Sequence, residues 1–542
     1  MKKYIIPVFI LLLVVAACDK SKLELSDPNL PTPEQSLSTE AGLKSFALGI
    51  IQKMVAFVPD EGNTNIFQIA LTNHTILGDE AFVPYGNWGL RWVNQVYSVT
   101  LPSGQVVINP NGVDQKTQLQ GFNSRDAGER NAFQYEWSSC YYIIAQSNQL
   151  LKSLENPDIS FSGDADTKRA TLKAWAQWWK GYAYSRIGSM YLAGVITDEA
   201  GVTNDNFVHR TAIMAEADKV LNDCLATLAT INPGADYNDV MTAIVATFND
   251  NTNIVSPDSW KRQIYSLQAR NLLVNKKIKD MTAADWTQIK ALTDKGIRAT
   301  DNIFKFGMDP SGTNDISSSF YHPYAFIGEA AQYTFASERL IQDFKPGDQR
   351  LIKGFAQFDV PKVNIRGRGL QLGTRWNPIY IENGGLYATA TNQGLVPWAA
   401  SYEENELMTA EALIRTSNID EGLQHVDRVR DFQNSGLAHV AVTGLTQAQA
   451  LEELRRERRV GLFLRGTAFY DARRWGVNEP ASAGGGRAGA IVMVPGNLLV
   501  PAQANPQAVP CFMEYRYLDY WDVPQNELDF NTPGPNSPPV KN

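Results

Sequence analysis

The sequence predicts a mainly α protein, in which tetratricopeptide-like helix pairs form a scaffold carrying long irregular excursions and a few short strands. Three observations predict it. Apolar residues recur at helical spacing over several long segments. Small residues, Ala410 and Gly422, stand where two antiparallel helices of a repeat must approach closely. Two stretches, about 56–128 and 301–400, are rich in Gly, Asn, Pro and aromatic residues and carry no helical period. Excursions of that length in a compact protein are functional or disordered, and their aromatic content argues for order.

The chain opens with Lys2 and Lys3 ahead of the apolar run Ile5–Ala17. As a helix this run cannot span a hydrocarbon core of ~30 Å, so it predicts a secretion signal rather than an anchor. It ends Val15-Ala16-Ala17-Cys18, small residues before a cysteine, which resembles a bacterial lipobox. The expected organisation is a lipoprotein signal peptide at 1–17, a lipidated tether at 18–38 beginning at Cys18, and a single domain at 39–542. Pro28, Pro31 and Pro33 make the tether extended.

Helical spacing then marks 131–153, on Trp137, Tyr141, Ile144, Asn148 and Leu151. It marks 168–192 through Leu172, Trp175, Trp179, Tyr182, Arg186 and Met190, and 211–230 with Leu221, Leu225 and Leu228 inward. Further helices are predicted at 260–280, 283–300, 402–416, 419–433 and 446–464. In the pair 402–433, Leu413, Val426 and Val429 are apolar at the offsets where such a repeat packs helix on helix. Trp175, Trp178 and Trp179 read as core by their spacing. The Pro- and Gly-containing tail at 531–542 reads as a loose end.

Composition excludes several functions. The chain is 44% hydrophobic and 20% charged, with net charge −8, so it has no basic footprint for nucleic acid. Beyond Cys18, Cys140, Cys224 and Cys511 are an odd, widely spaced set, read as small buried apolar residues rather than a disulfide framework. No two of the five histidines stand at i, i+4, so no zinc motif is present. Asp164 and Asp166 begin like a calcium loop but lack its glycine and closing glutamate. Gly367, Gly369 and Gly373 have the wrong spacing for a dinucleotide. No metal and no cofactor is predicted.

The most distinctive run is Leu454-Arg455-Arg456-Glu457-Arg458-Arg459-Val460-Gly461, continuing to Tyr470-Asp471-Ala472-Arg473-Arg474-Trp475-Gly476. Apolar residues interleave with the charges, so not every charge can be solvated. Glu452 is placed to pair with Arg456 one turn on. Asp471 can accept from an inward arginine, and Gly466 can end the helix in the left-handed conformation. Trp475 belongs to this helix-to-turn junction and reads as structural.

These residues resemble the SusD/RagB-like family of outer-membrane nutrient-binding lipoproteins. The match comprises Glu457-Arg458-Arg459, Gly466, and the turn Tyr470–Gly476. Upstream, Leu407-Met408-Thr409-Ala410-Glu411-Ala412-Leu413 and Val426-Asp427-Arg428-Val429-Arg430 resemble the family's paired helices. Val523-Pro524-Gln525-Asn526-Glu527-Leu528-Asp529 resembles its closing motif. The chain departs from the family at Glu404-Asn405-Glu406, which is unusually polar, and at Arg465, where the family often has an acid. The resemblance implies a cell-surface lipoprotein, acylated for instance with palmitate, that does no catalysis. It implies a SusC-like, TonB-dependent outer-membrane barrel as partner. Members capture oligosaccharides or, in some branches, peptides.

A sugar offers apolar C–H faces to aromatic rings and a polar rim to hydrogen-bonding groups. Tyr85-Gly86-Asn87-Trp88-Gly89-Leu90-Arg91-Trp92 supplies both kinds of partner in one loop. The competing reading is that Trp88 or Trp92 seals a loop core. A second cluster, Arg375-Trp376-Asn377 with Tyr380, Tyr387 and Trp398, lies in the other excursion. The expected substrate-binding residues are therefore Tyr85, Asn87, Trp88, Arg91, Trp92, Trp376 and Trp398. The alternative functions are a surface-anchored glycan hydrolase and a helical scaffold without a small ligand.

Overall fold

A computed structural model describes residues 37–52, 66–83, 87–109, 112–202, 204–245, 254–308, 334–363, 372–379, 383–390, 393–397, 399–495 and 505–542. The signal peptide, Cys18 and nearly all of the tether lie outside the described residues.

The frame helices are α1 (Glu40–Gln52), α2 (Ile66–Leu77), α3 (Phe133–Leu154), α4 (Ala165–Met190), α5 (Arg210–Leu228), α6 (Ala235–Val245), α7 (Pro257–Val274), α8 (Ala283–Thr293), α9 (Tyr402–Arg415), α10 (Ile419–Phe432), α11 (Gln447–Gly461) and α12 (Ala468–Arg474). Their starts follow capping chemistry. The Asp164 carboxylate accepts from the Thr167 amide at 3.0 Å, which makes the false calcium motif a helix cap. Ser256 caps α7 with Pro257 in the first turn. Thr282 with Asp285 and Thr446 with Gln449 form capping boxes.

The antiparallel pairs form as predicted. α4 packs between α3 and α5, and Gly181 and Gly188 let α5 come close. A Cβ at Gly181 would stand 2.8 Å from Leu221 Cδ2, and one at Gly188 2.6 Å from Met214 Sδ. Gly422 on α10 faces α9, where a Cβ would stand 2.8 Å from the Ala410 carbonyl oxygen. This is the close approach that repeat-like stacking needs. Trp175, Trp179, Trp260 and Phe304 fill the centre edge to face, at centroid separations of 5.1–6.0 Å.

The polar stretch of α9 is explained by its partners. Arg270 pairs with Glu404, Asn405 accepts from Ser266 Oγ at 2.8 Å, and Glu406 meets His425 at 2.7 Å. Cys140, Cys224 and Cys511 are buried and free.

Short strands complete the fold: β1 (Ala81–Phe82), β2 (Ser98–Thr100), β3 (Val106–Ile108), β4 (Ala193–Val195), β5 (Phe207–His209), β6 (Lys305–Met308), β7 (Phe335–Ala336), β8 (Phe355–Lys362), β9 (Thr374–Pro378), β10 (Ala388–Ala390), β11 (Gln393–Pro397), β12 (Arg487–Val494) and β13 (Gln507–Glu514). The largest sheet has the order β12-β13-β2-β3, so the first excursion is stitched to the C-terminal region. Phe512 pairs with Thr100 and Glu514 with Ser98.

Three expectations need correction. The 56–128 excursion contains a full helix, α2, whose buried Phe67, Ile69, Ile76 and Leu77 lack a clean amphipathic period because so much of the helix is enclosed. α11 ends at Gly461, before Gly466. Gly466 does turn left-handed (φ +69), but Leu464 does so too (φ +62), within the link to α12. The C-terminal tail is tied down: Val523 N–H donates to the Val540 carbonyl at 2.8 Å, and Asn542 N–H to Asp522 at 2.8 Å.

Within the arginine-rich junction Arg458, Arg459, Arg473 and Arg474 are buried, each with acid or carbonyl partners. Arg474 forks onto Glu411 at 2.6 and 2.8 Å and meets Asp471 at 2.7 Å, while Arg458 reaches Asp471 at 2.8 Å. Arg473 donates to the carbonyls of Ser189, Val274 and Asp519 at 2.7–3.0 Å, tying the ends of α4 and α7 to α12. Glu452 pairs with Arg456 at 2.9 Å, the expected one-turn pair.

Candidate functional site

The loop at 87–93 is built on two consecutive left-handed residues, Trp88 (φ +51) and Gly89 (φ +71). Glycine is required at the second, where a Cβ would stand 2.5 Å from the Arg130 carbonyl oxygen. This turn drives the Trp88 ring inward to 3% exposure, within the main hydrophobic core. Trp88 therefore seals the loop core. The short helix Leu90–Val93 then carries Arg91 and Trp92 to a partly exposed position. The Arg91 guanidinium lies 3.8 Å from the Trp92 ring centroid, a cation–π stack. Phe122 holds the ring at a centroid distance of 5.5 Å. Gln95 fixes the helix by donating to the Arg91 carbonyl at 2.9 Å. Tyr85, Trp398 and the Asn87 side chain lie outside the described residues.

Trp376 sits on β9, where it pairs with Gln357 of β8. Its partly buried ring packs on a second cluster that contains Leu340, Phe355 and Phe463. Trp92 and Trp376 thus belong to different clusters. Arg375 is spent on Glu338, with a contact at 2.8 Å.

Beside that second cluster lies a cavity of about 510 Å³, lined among others by Tyr387, Leu386, Lys353, Gln433, Glu403 and Arg465. Tyr387 has φ +70 and donates its hydroxyl to the Phe463 carbonyl at 2.5 Å. Arg465 contacts Glu403 at 3.3 Å and lies over the Tyr387 ring at 4.8 Å. Burial pushes the Tyr387 phenol above its ordinary range, so it stays a neutral hydrogen-bonding group. Sequence reasoning missed this cavity. Its signals were Tyr387 in the second aromatic cluster and Arg465 standing where an acid was expected; Glu403 on α9 supplies the compensating charge.

The acid–base inventory is sparse. Glu403 is the one carboxylate among the described residues lining this cavity, whereas glycoside hydrolysis uses two carboxyl groups. Among the described residues, no group of three His, Cys, Asp or Glu side chains could hold a metal ion.

The SusD family profile matches residues 404–535. The fold is shared along nearly the whole chain with a SusD-like carbohydrate binding protein from Bacteroides vulgatus, at 12% identity and TM-score 0.53, covering 93% of this chain and 98% of that one. The chain has the SusD-like fold and matches the family profile over residues 404–535. A SusD superfamily protein from Bacteroides thetaiotaomicron is similar at 13% identity and TM-score 0.51, over 88% of this chain and 100% of that one. A protein solved with a xylogluco-oligosaccharide is similar at 12% identity and TM-score 0.52, over 94% and 98%. No curated protein sequence matches the chain with significance.

Proposed function

We propose that this SusD-like protein is a cell-surface lipoprotein that captures an oligosaccharide without chemistry and delivers it to a TonB-dependent outer-membrane barrel. The observation that carries the reading is the SusD-family segment at 404–535 in a chain whose signal ends Val15-Ala16-Ala17-Cys18. One similar fold was solved with a xylogluco-oligosaccharide. No described helix is long and apolar enough to cross a membrane, and Cys18 is the attachment point in this reading.

Arg91 and Trp92 are the ligand-facing members of the first loop. Trp92 offers an amphipathic ring held by Phe122, and Arg91 offers donors for the sugar rim. Trp88 supports the loop from beneath. Trp376 and the cavity beside Tyr387 form the second candidate contact region. A stacking site with few charges binds modestly, at about micromolar to millimolar affinity.

Calorimetric titration with xyloglucan and other plant or host oligosaccharides tests this. Trp92→Ala is expected to weaken binding by about 1–3 kcal/mol with little change in melting temperature. Unchanged binding in folded Trp92→Ala removes that residue from the site. Release of sugar products by the purified protein would favour the hydrolase reading instead.

A further inference from the structure

A second cavity, of about 430 Å³, lies between the end of α2, α11, α12 and the β12–β13 hairpin. That volume is within the range of small-molecule sites. Its wall is dominated by guanidinium groups. Asp343 is shared by Arg455, Arg459 and Arg487 at 2.9, 2.7 and 3.0 Å. Glu452 is shared by Arg455 and Arg456 at 2.7 and 2.9 Å. Asp79 is held by Arg339 at 2.8 Å. Arg339 stands outside the lining, so four lining guanidiniums face three carboxylates, a surplus of one positive charge among the described lining residues.

Two details say what is missing. Asn478 lines the cavity at 3% exposure, and neither its amide nitrogen nor its oxygen has a hydrogen-bond partner. A buried amide in that state is destabilising unless a ligand satisfies it. Arg456, whose side chain is 36% exposed, uses only its Nε, on Glu452. Its terminal nitrogens remain as a fork for an anion. Trp475 lines the same cavity and is partly exposed rather than sealed into the junction. Burial pushes the Arg487 guanidinium below its ordinary range; Asp343 opposes that shift and Arg459 adds to it.

We propose that this cavity is a second binding site, specific for a small sugar carrying a carboxylate or sulfate group. The anionic group meets Arg456 and Arg487, Asn478 satisfies a ring hydroxyl as both donor and acceptor, and Trp475 supplies apolar contact. The site is separate from the Arg91–Trp92 loop.

Titration of the detergent-solubilised full chain with glucuronate, glucose 6-sulfate and neutral glucose tests the proposal. At least one anion is expected to bind, with glucose tenfold weaker or undetected. Binding of glucuronate alone names a carboxylate sugar, and binding of the sulfate alone names a sulfated one. Arg456→Gln is expected to weaken the anion about tenfold or more. Asn478→Asp, which places a negative charge in the cavity, is expected to abolish binding of the anion. The proposal is overturned if neither anion binds, if glucose binds as tightly, or if folded Arg456→Gln binds like the parent. Arg456 is partly exposed with one partner, so that variant keeps its fold even where Asn478→Asp does not.

Discussion

Individual charges in this protein titrate far from where they would in water, and their surroundings explain each direction. Burial pushes the Asp79 and Asp343 carboxyls up, but the guanidiniums around them outweigh burial and hold both at about 2. Glu80, next in sequence to Asp79, goes the other way. Burial dominates there, Arg459 only partly opposes it, Asp471 adds repulsion, and the carboxyl is pushed up to about 8. The folded chain therefore keeps the Glu80 proton across a range where the unfolded chain, with an ordinary value of 4.5, has lost it. Between about pH 5 and 8 the folded state binds more protons, so this residue makes stability fall as pH rises. Glu80→Gln, neutral and nearly isosteric, is expected to remove that slope. Urea unfolding at pH 5 and pH 8 checks it: similar stability at pH 5, and a variant more stable by about 3–4 kcal/mol at pH 8. An identical slope in both proteins would show that another group carries the dependence. None of this was visible in the sequence. Glu80 stands beside Asp79 with nothing to say that one would be paired and the other merely enclosed.

The helices were legible because their apolar period is local. The face on Trp137, Ile144 and Asn148 gave α3, and the small pair Ala410 and Gly422 gave the α9–α10 contact. The contact at Gly422 yields a sharp expectation. A side chain there meets the Ala410 carbonyl oxygen and Ile414, and the backbone oxygen cannot rotate away. Gly422→Leu gains helix propensity of about 1 kcal/mol but overpacks the pair, so a net loss of about 1–3 kcal/mol is expected. Thermal unfolding measures it, and a variant as stable as the parent would mean that the helices can part without loss. The sheet was not legible. β2 joins β13 across 416 residues, through contacts such as Ser98 to Glu514, and three-residue strands carry too little alternation to announce a partner so distant. The acceptors of the arginine-rich helix were hidden for the same reason. Asp471 lay in the same motif and was found, whereas Asp343, which takes Arg455 and Arg459, and Glu411, which takes Arg474 of α12, lie on separate elements. At the candidate site, aromatic loop composition located Trp88 and Trp92 together. Only the left-handed backbone at Trp88 and Gly89 decided which ring turned inward.

At the scale of the whole molecule, the proposed cell-surface position depends on how the chain is held to the membrane. The C-terminus is pinned by Val540 and Asn542, and no described helix is long and apolar enough to cross a bilayer. The run Ile5–Ala17 is too short to span ~30 Å as a helix. Membrane association in the proposed function therefore rests on lipid at Cys18. A single acyl chain binds a bilayer only marginally, and two or more give stable anchoring, with about 0.8 kcal/mol for each buried methylene. Cys18→Ala removes the acyl acceptor and touches no described residue. It is expected to move the protein from the membrane pellet to the soluble or uncleaved-precursor fraction, with unchanged thermal unfolding of the domain and unchanged oligosaccharide affinity. Fractionation of native cells, followed by mass spectrometry of the N-terminal peptide, checks both the partition and the modification. A Cys18→Ala protein that still pellets fully as mature chain with outer membranes would place the anchor elsewhere, in a lasting protein–protein contact with the barrel.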